Sequence, residues 1–362
     1  MTHHFAFVMD QPSRSYTESL TIERVVMSDS SIAPTFVPVR YDLGGKPLLA
    51  ALSLFPNTVR DTLAGIEEIH RGLAGKRPDA VLWATGAAKS VMGLVSSAPA
   101  FLVVEMTPLQ KERMESQKEQ SAVRRTFLRD ANHATTAQLY DRAAHLFVGS
   151  EWVARSLRHD YAVPSEKITV VRPGVDTGHF CPATICKSRS GVVRLLVVGN
   201  DFYGNGGELL LKWAQQTRTP VPWELHLVTS DAMKVLPPGV FTHPAVQSNS
   251  PEQLRLYQTC DLLVQPACAD NNSLAVVEAM ATGLPVLAAN TCGVCEIVSE
   301  GETGMLFAPK DFDTLAARLN TLIESPDLRR EMGNAARERA VRLFDARRNI
   351  GRILTTMHEV AA

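Results

Sequence analysis

Short apolar runs alternate with amphipathic stretches along most of this chain, and no other feature limits its fold as strongly. Such alternation is typical of βαβ units, in which helices link buried parallel strands. The predicted strands of the N-terminal half are Phe5–Met9, Phe36–Val39, Ala80–Trp83, Phe101–Glu105, His145–Val148 and Ile168–Val171. Those of the C-terminal half are Arg194–Val198, Glu224–Val228, Leu262–Val264, Pro285–Ala288 and Met305–Phe307.

The two series of strands predict two domains. A chain of 362 residues exceeds the usual size of one globular core. We therefore expect an α/β fold of two Rossmann-like, doubly wound parallel sheets that face a cleft. The expected boundaries are residues 1–176, a polar linker over 177–191, a second domain over 192–344 and a final helix over 345–362.

Composition excludes several function classes. The formal net charge of -1 does not favour nucleic acid as a partner. No apolar run is long enough to span a bilayer, and the first residues do not resemble a signal peptide, so we expect a cytoplasmic protein. Cys292 and Cys295 form a CxxC motif, but no second CxxC or His pair accompanies it. We expect no metal site and predict reduced, buried thiols.

Glu278 is the only charged residue in a predicted helix that is apolar almost all round. The helix is expected to begin at Leu274, with Ser273 as its N-cap and Gly283 as its terminator. A buried carboxylate needs a polar partner. That partner is either a structural group, such as a backbone amide or an arginine, or a pair of sugar hydroxyls. We favour the sugar, because Glu278 lies just over one turn inside a helix N-terminus suited to phosphate.

Two loops near this helix are candidates for the same site. Asp270 precedes the helix and either accepts hydrogen bonds from sugar hydroxyls or is an ordinary turn residue. The loop from Gly199 to Gly207 follows a strand, and its glycines let the backbone approach a phosphate. It is not a Walker A loop, because Asn205 stands where the lysine belongs.

With these residues assembled, the chain resembles the GT-B retaining glycosyltransferases of family 4 over nearly its whole length. The resemblance is strongest from Asp270 to Leu306, where two acidic residues separated by seven precede Ala-Met-Ala-Thr-Gly-Leu-Pro-Val and, later, Gly-Glu-Thr-Gly. A second block runs from Phe147 to Trp152 and from Lys167 to Asp176. Glu105-Met-Thr-Pro and Asp10-Gln are similar to one bacterial subgroup.

The resemblance implies transfer of a sugar from a nucleotide donor with retention of configuration and with no required metal or other cofactor. Glu278 would hold the ribose and Asp270 the donor sugar, while UDP and GDP both stay open as the nucleotide. The other donor-binding positions implied are Gly199, Asn200, Asn205, Thr229, Ser230, Asn249, Asn272, Ser273 and Leu274. The N-terminal domain would bind a glycan or small-molecule acceptor, with Asp10, Arg14 and Glu105 on the acceptor or phosphate side, and the last helix would cross back to it.

Departures from the family pattern leave two further interpretations open. The family usually places an arginine and a lysine where this chain has Asn200 and Asn205, so two positive charges are missing beside the diphosphate. The chain is therefore either an active glycosyltransferase or a catalytically weakened nucleotide-sugar-binding or partner protein. A GT-B epimerase or phosphorylase is a third interpretation. Weak peripheral membrane contact through Lys111–Arg129 is a minor alternative, and the acceptor, linkage and oligomeric state stay open.

Arg14 is predicted to supply part of the missing positive charge across the closed cleft. Arg14→Ala should then raise the donor KM, lower kcat, or do both, because the leaving diphosphate would lose a charged partner. Steady-state kinetics with the nucleotide-sugar donor measures both constants. A KM and a kcat equal to those of the unsubstituted chain would contradict this role of Arg14.

Overall fold

The structure, a computed structural model, describes residues 2–10, 16–41, 57–84, 97–118, 126–183, 191–231, 235–267 and 273–361. The chain divides into two compact units, one of Met1–Val171 with Ile350–Ala362 and one of Arg172–Asn349. Each unit is built on a parallel sheet of six strands with helices packed against it. The predicted α/β class with two Rossmann-like sheets is confirmed.

The first unit alternates strands and helices as the sequence predicts. Its elements are β1 His3–Asp10, α1 Tyr16–Met27, β2 Ile32–Val39, α2 Asn57–Leu73, β3 Ala80–Ala84, β4 Ala100–Val104, α3 Pro108–Lys118, α4 Thr126–Arg142, β5 His145–Val148, α5 Glu151–Asp160 and β6 Ile168–Val170. The strand order is β2-β1-β3-β4-β5-β6. In the centre of the sheet Phe7 lies opposite both Phe36 and Leu82. The charged run Lys111–Arg129 falls on parts of α3 and α4, with residues 119–125 outside the described ranges.

The second unit repeats the pattern and adds a helical end. Its elements are β7 Val193–Val198, α6 Gly207–Gln216, β8 Trp223–Val228, β9 Val240–Thr242, α7 Pro251–Thr259, β10 Leu262–Gln265, α8 Leu274–Ala281, β11 Val286–Ala289, α9 Val294–Ile297, β12 Gly304–Phe307, α10 Phe312–Glu324, α11 Pro326–Leu343 and α12 Ala346–Ala361. The strand order is β12-β11-β10-β7-β8-β9. Leu263 of β10 lies opposite Leu196 of β7 and Val286 of β11, so the central strands are buried on both faces. The last residues of α12 pack in the first unit.

All the strands predicted from sequence are present, with bounds that shift by a few residues at most apart from an earlier start of β2. The strand that the sequence did not reveal is β9. It is a three-residue edge strand in which only Val240 is buried and Phe241 is exposed. An edge strand packs on one side only, so its sequence need not contain the apolar run by which the central strands are recognised.

Helix α8 begins at Leu274 as predicted, with Ser273 at the N-cap position and Gly283 in the left-handed conformation (φ 79°) just beyond the last turn. It is apolar all round because α11 packs against it on the side away from the sheet. Arg337 of α11 caps its C-terminal end by donating from Nη1 to the carbonyl of Ala281 at 2.6 Å. The same nitrogen also donates to the carbonyl of Phe180, in the segment predicted as a linker. These contacts hold α8 in place.

Two other sequence predictions concern cysteines and membrane spans. Among the cysteines that the structure describes, Cys260 is buried and Cys181 and Cys292 are half-buried, whereas Cys295 is exposed. The prediction of buried thiols is therefore confirmed for Cys260 and wrong for Cys295, which lies in the short helix α9. Within the described ranges, no helix is both long and apolar enough to cross a membrane.

Gly333 is expected to be essential to the contact between α11 and the end of α8. A Cβ at this position would lie 2.3 Å from the carbonyl oxygen of Gly283, which is backbone and cannot rotate away. Gly333→Ala should lower the free energy of unfolding by about 1–3 kcal/mol, as overpacking does. Chemical denaturation followed by circular dichroism measures the change.

Gly351 in α12 is the control, because a Cβ there meets nothing within 4 Å. Gly351→Ala should stabilise the chain by about 0.5–1 kcal/mol through helix propensity. Equal effects of the two substitutions would contradict the close approach of α11 to Gly283.

Candidate functional site

The order of strands in the second sheet locates a ligand site without reference to any motif. From β7 the chain moves outward through β8 to β9, and it then crosses to the other side of β7 to form β10. Open parallel sheets bind ligands at such a switch point, beyond the carboxyl ends of the two strands. The loops that begin at Gly199 and Pro266 follow β7 and β10, so they border this crevice.

These two loops approach each other closely at Gly206. Its φ is 79°, and a Cβ there would lie 2.9 Å from the carbonyl oxygen of Pro266. Both features require glycine, since the left-handed conformation and the short distance each disfavour a side chain. Gly206 thus lets the backbone of the loop after β7 approach the end of β10.

The structure brings the predicted residues Asn200, Asn205 and Ser230 together at this edge. The side-chain amide of Asn205 donates to the backbone carbonyl of Asn200 at 3.0 Å. Ser230, from the loop after β8, donates to Oδ1 of Asn200 at 3.2 Å. Thr229 is buried beside them, and its hydroxyl accepts from the backbone N–H of Asp231. The two asparagines therefore order the loop as well as making it polar.

The N-terminus of α8 borders the crevice, and no side chain in the described ranges caps it. Ser273 does not cap the helix with its side chain; its Oγ accepts instead from Nε2 of Gln265 at 3.2 Å. The first backbone N–H with an acceptor inside the helix is that of Val277, which donates to the Ser273 carbonyl. The N–H groups of the preceding turn, from Leu274 onward, have no intrahelical acceptor. They provide a partial positive charge suited to an anion.

Glu278 is 4% exposed, and its Oε2 accepts a hydrogen bond from the hydroxyl of Tyr257 at 2.7 Å. Burial raises the pKa of Glu278 to about 7, although the Tyr257 hydrogen bond lowers it in part. Burial and the nearby carboxylate likewise raise the pKa of Tyr257. The structural partner is thus a tyrosine, neither the backbone amide nor the arginine that the sequence suggested.

The carboxylate of Glu278 retains capacity for a ligand. Among the described residues, the Tyr257 hydroxyl is the single hydrogen-bond donor to it, so Oε1 keeps its lone pairs. A group with a pKa of about 7 is part protonated and part charged at neutral pH. A ligand that donates hydrogen bonds to Oε1 would shift Glu278 toward the charged form.

Asn249 belongs to the same assembly through α7. It adopts a left-handed conformation (φ 60°), and its backbone N–H donates to Oε1 of Gln253 at 2.6 Å. The next residue, Ser250, caps α7 by accepting from the backbone N–H of Gln253. Because α7 also carries Tyr257, the helix that holds the partner of Glu278 begins two residues after the predicted base-binding position Asn249.

In the first unit, Asp10 ends β1 at the corresponding switch point, between β1 and β3. The hydroxyl of Tyr41 donates to Oδ1 of Asp10 at 2.5 Å. Glu105 follows β4, and its pKa is raised by desolvation of the carboxylate and by the charge of Asp10, although the side chain as a whole is exposed. The predicted acceptor-side acids Asp10 and Glu105 are therefore near each other.

Three predicted site residues, Arg14, Asp270 and Asn272, lie outside the described residues. Elsewhere in the described ranges, no group of three or more His, Cys, Asp or Glu side chains could hold a metal ion. The functional residue that sequence reasoning missed is Tyr257. It precedes Glu278 by 21 positions, on a different helix, and no local spacing reveals that contact.

Two family models match the chain. One, described as Glycosyltransferase Family 4, covers residues 50–179, and the other, Glycosyl transferases group 1, covers residues 243–339. Together they span more than half of the chain. The chain belongs to glycosyltransferase family 4. Its two parallel sheets are those of the GT-B fold of this family.

Curated relatives agree with this assignment. One curated relative, the MMP alpha-(1->4)-mannosyltransferase of Mycolicibacterium hassiacum, is 31% identical over 207 residues, which are 53% of this chain and 48% of that protein. The D-inositol 3-phosphate glycosyltransferase of Pseudarthrobacter chlorophenolicus is 24% identical over 79% of this chain and 72% of its own length. The matched region thus spans about half of the first relative and under three quarters of the second.

Solved structures share the GT-B fold. Sucrose-phosphate synthase from Thermosynechococcus elongatus superposes with a TM-score of 0.78 at 15% identity, over 99% of both chains. Anabaena HepE in complex with UDP-glucose gives a TM-score of 0.71 at 17% identity, over 99% of this chain and all of that one. At such identities these likenesses concern the fold alone.

The raised pKa of Glu278 predicts how stability depends on pH. Its ordinary value is 4.5, and the folded value is about 7. Between these values the folded state holds a proton that the unfolded state has released, so stability is lost as pH rises through this window. Glu278→Gln removes this pH dependence. Between pH 4.5 and 8, the free energy of unfolding of this variant should therefore rise by about 3 kcal/mol relative to that of the parent. Denaturant unfolding at a series of pH values measures the gain.

Glu224→Gln is the control, since the hydrogen bond from Arg194 lowers the pKa of Glu224. Glu224→Gln should not show the gain in the free energy of unfolding that is expected for Glu278→Gln. It should instead lower the free energy of unfolding, because it removes a stabilising carboxylate. If the free energy of unfolding varies with pH in the same way for the parent and for Glu278→Gln, the buried carboxyl does not titrate as described.

Proposed function

We propose that the chain is a retaining glycosyltransferase. It transfers a sugar from a nucleotide-sugar donor, bound at the carboxyl edge of the second sheet, to a hydroxyl of an acceptor bound by the first unit. The observation that carries the proposal is Glu278, a buried carboxylate one turn inside an uncapped helix N-terminus at a topological switch point. A purely structural acid would need no such position, because burying a carboxylate destabilises the fold.

The donor nucleotide fits this edge in two parts. Oε1 of Glu278 would accept hydrogen bonds from the ribose hydroxyls, while Tyr257 fixes Oε2. The N–H groups at the start of α8, near Ser273 and Leu274, would bind the diphosphate. Asn249, Thr229 and Ser230 would border the base. The structural neighbour HepE was solved in complex with UDP-glucose, so UDP-glucose is the first donor to test.

The protein's part in the chemistry is to stabilise charge on the leaving diphosphate. Charge grows on the oxygen of the breaking sugar–phosphate bond, and preorganised N–H donors stabilise it in the transition state. Asp270 would hold the donor sugar, as in the family pattern. No metal is needed for this role, since the helix end supplies the positive potential.

A second candidate function is a nucleotide-sugar-binding or partner protein with weak turnover. One observation favours it: Asn205 donates to Asn200, and Asn200 accepts from Ser230, so these side chains hold the loop and bring no charge to the diphosphate. A weaker anion site slows departure of the leaving group more than it weakens binding, because charge is greatest in the transition state.

A donor panel separates the two candidates. The protein is incubated with UDP- and GDP-sugars, with and without simple saccharide acceptors, and thermal stabilisation and sugar release are both recorded. The glycosyltransferase proposal expects stabilisation together with slow donor hydrolysis or transfer. Stabilisation without turnover of any donor would favour the binding protein, and neither response to any donor would contradict both.

Asn205→Lys tests the leaving-group site directly. A lysine restores a charged donor at this position, and charge-assisted hydrogen bonds are about twice as strong as neutral ones. We expect donor affinity to rise about fivefold to tenfold, equivalent to about 1 kcal/mol. Gln216→Lys adds the same charge at the exposed far end of α6 and is the control. Calorimetric titration with UDP-glucose compares them. If Gln216→Lys matches the gain of Asn205→Lys, net charge and not the site is responsible.

A further inference from the structure

Cys292 lies in the turn that follows β11, on the same sheet edge as the donor site, and Cys295 lies three residues later in α9. The two residues between them are helical: Gly293 has φ −83° and ψ −5°, and Val294 begins α9. Two consecutive residues of this conformation bring the flanking Cα atoms within about 7 Å, the range in which disulfides form. The Cys295 thiol already points back into the turn, since Sγ donates to the Cys292 carbonyl at 3.6 Å.

Hydrogen bonds hold the backbone on the α9 side of this turn, whereas the backbone at Cys292 is strained. Arg339 of α11 donates to the carbonyls of Glu296 and Ile297 at 2.9 and 2.8 Å, which fixes the C-terminal end of α9. Cys292, in contrast, has a φ of 48°, a left-handed conformation that favours glycine. Strained residues of this kind concentrate at functional and switching positions.

The turn is linked to the loop that leads to the donor site. Thr291, next to Cys292, donates from its hydroxyl to the carbonyl of Ala267 at 3.3 Å. Ala267 follows β10 and stands on the segment that leads to Ser273 and α8. A change of shape at Cys292 therefore reaches the loop after β10 through one hydrogen bond.

We propose that Cys292 and Cys295 form a thiol–disulfide modification site that controls nucleotide-sugar binding. The reactive partner is a small-molecule disulfide of the glutathione type. The dithiol form leaves the turn as described, and the intramolecular disulfide pulls Cys292 toward the fixed α9 and shifts Thr291. The effect on binding rests on the proposed function, whereas the chemistry of the thiol pair does not.

The reaction is ordinary thiol–disulfide exchange. The exposed Cys295 thiolate attacks one sulfur of the reagent, forms a mixed disulfide and releases one reagent thiolate. The half-buried Cys292 thiolate then attacks Sγ of Cys295 and releases the second reagent thiolate. The two protein thiols lose two protons and two electrons in total, and the reagent gains them as two thiols. A dithiol reductant reverses the reaction.

The test exposes the full chain to glutathione buffers of increasing oxidised fraction, followed by alkylation and peptide mass mapping. A Cys292–Cys295 disulfide is expected, and Cys292→Ser and Cys295→Ser should each abolish it. Cys181→Ser, at a half-buried cysteine outside the turn, is the control and should leave it intact. Trapping of Cys295 as a stable mixed disulfide in the unsubstituted chain would show that Cys292 cannot reach it, and would overturn the proposal.

The second readout is the affinity for UDP-glucose before and after oxidation. The disulfide form should bind about tenfold more weakly, a difference of about 1.4 kcal/mol, and reduction should restore the original affinity. Cys295→Ser, which cannot form the initial mixed disulfide, should keep its affinity under oxidation. Unchanged affinity in a fully disulfide-bonded sample would overturn the control of binding. A reduced protein that binds no nucleotide sugar would instead contradict the proposed function, and peptide mapping would still decide the thiol pair.

Discussion

The buried carboxylate of Glu278 is the physical constraint around which the candidate site of the second unit is arranged. Its burial destabilises the fold, because a charge removed from water must be compensated or neutralised. Tyr257 offsets part of this cost with one hydrogen bond. The uncompensated part raises the pKa of Glu278 to about 7. A ligand with neighbouring hydroxyls would supply the hydrogen bonds that the Glu278 carboxylate lacks.

The surrounding architecture holds this carboxylate at one place. The sheet changes direction between β7 and β10, which opens a crevice beside the start of α8. Helix α11 covers the other side of α8, and Arg337 caps its end. Gly206 lets the loop after β7 approach Pro266. The partial positive charge at this edge belongs to the N–H groups at the start of α8, since Asn200 and Asn205 occupy positions where the family usually has basic residues.

The sequence was sufficient for features that depend on local pattern. Apolar runs located the buried strands, and Ser273 and Gly283 marked the ends of α8, since caps and terminators act within one turn. The lone charge of Glu278 in an otherwise apolar helix marked the candidate site. Each of these signals lies within a short window of the chain.

Features that depend on tertiary contact could not be predicted. The pairing of Tyr257 with Glu278 joins two helices, and nothing in the spacing distinguishes this tyrosine from an ordinary core residue. The short edge strand β9 lacks the buried run that reveals central strands. Cys295 is exposed although its neighbours Val294 and Ile297 in α9 are buried, because it lies on the outer face of that short helix. These contacts are set by packing and not by local propensity.

Proton linkage of donor binding tests the central claim most directly. If ribose hydroxyls donate to Glu278, binding favours the charged carboxylate and lowers its pKa. With a pKa near 7 in the free protein, complex formation at pH 7 should release up to about half a proton. Calorimetric titration with UDP-glucose in buffers of different ionisation enthalpy measures this number. Proton release that disappears in Glu278→Gln is the predicted result. Proton uptake, or release that the substitution leaves unchanged, would contradict the account.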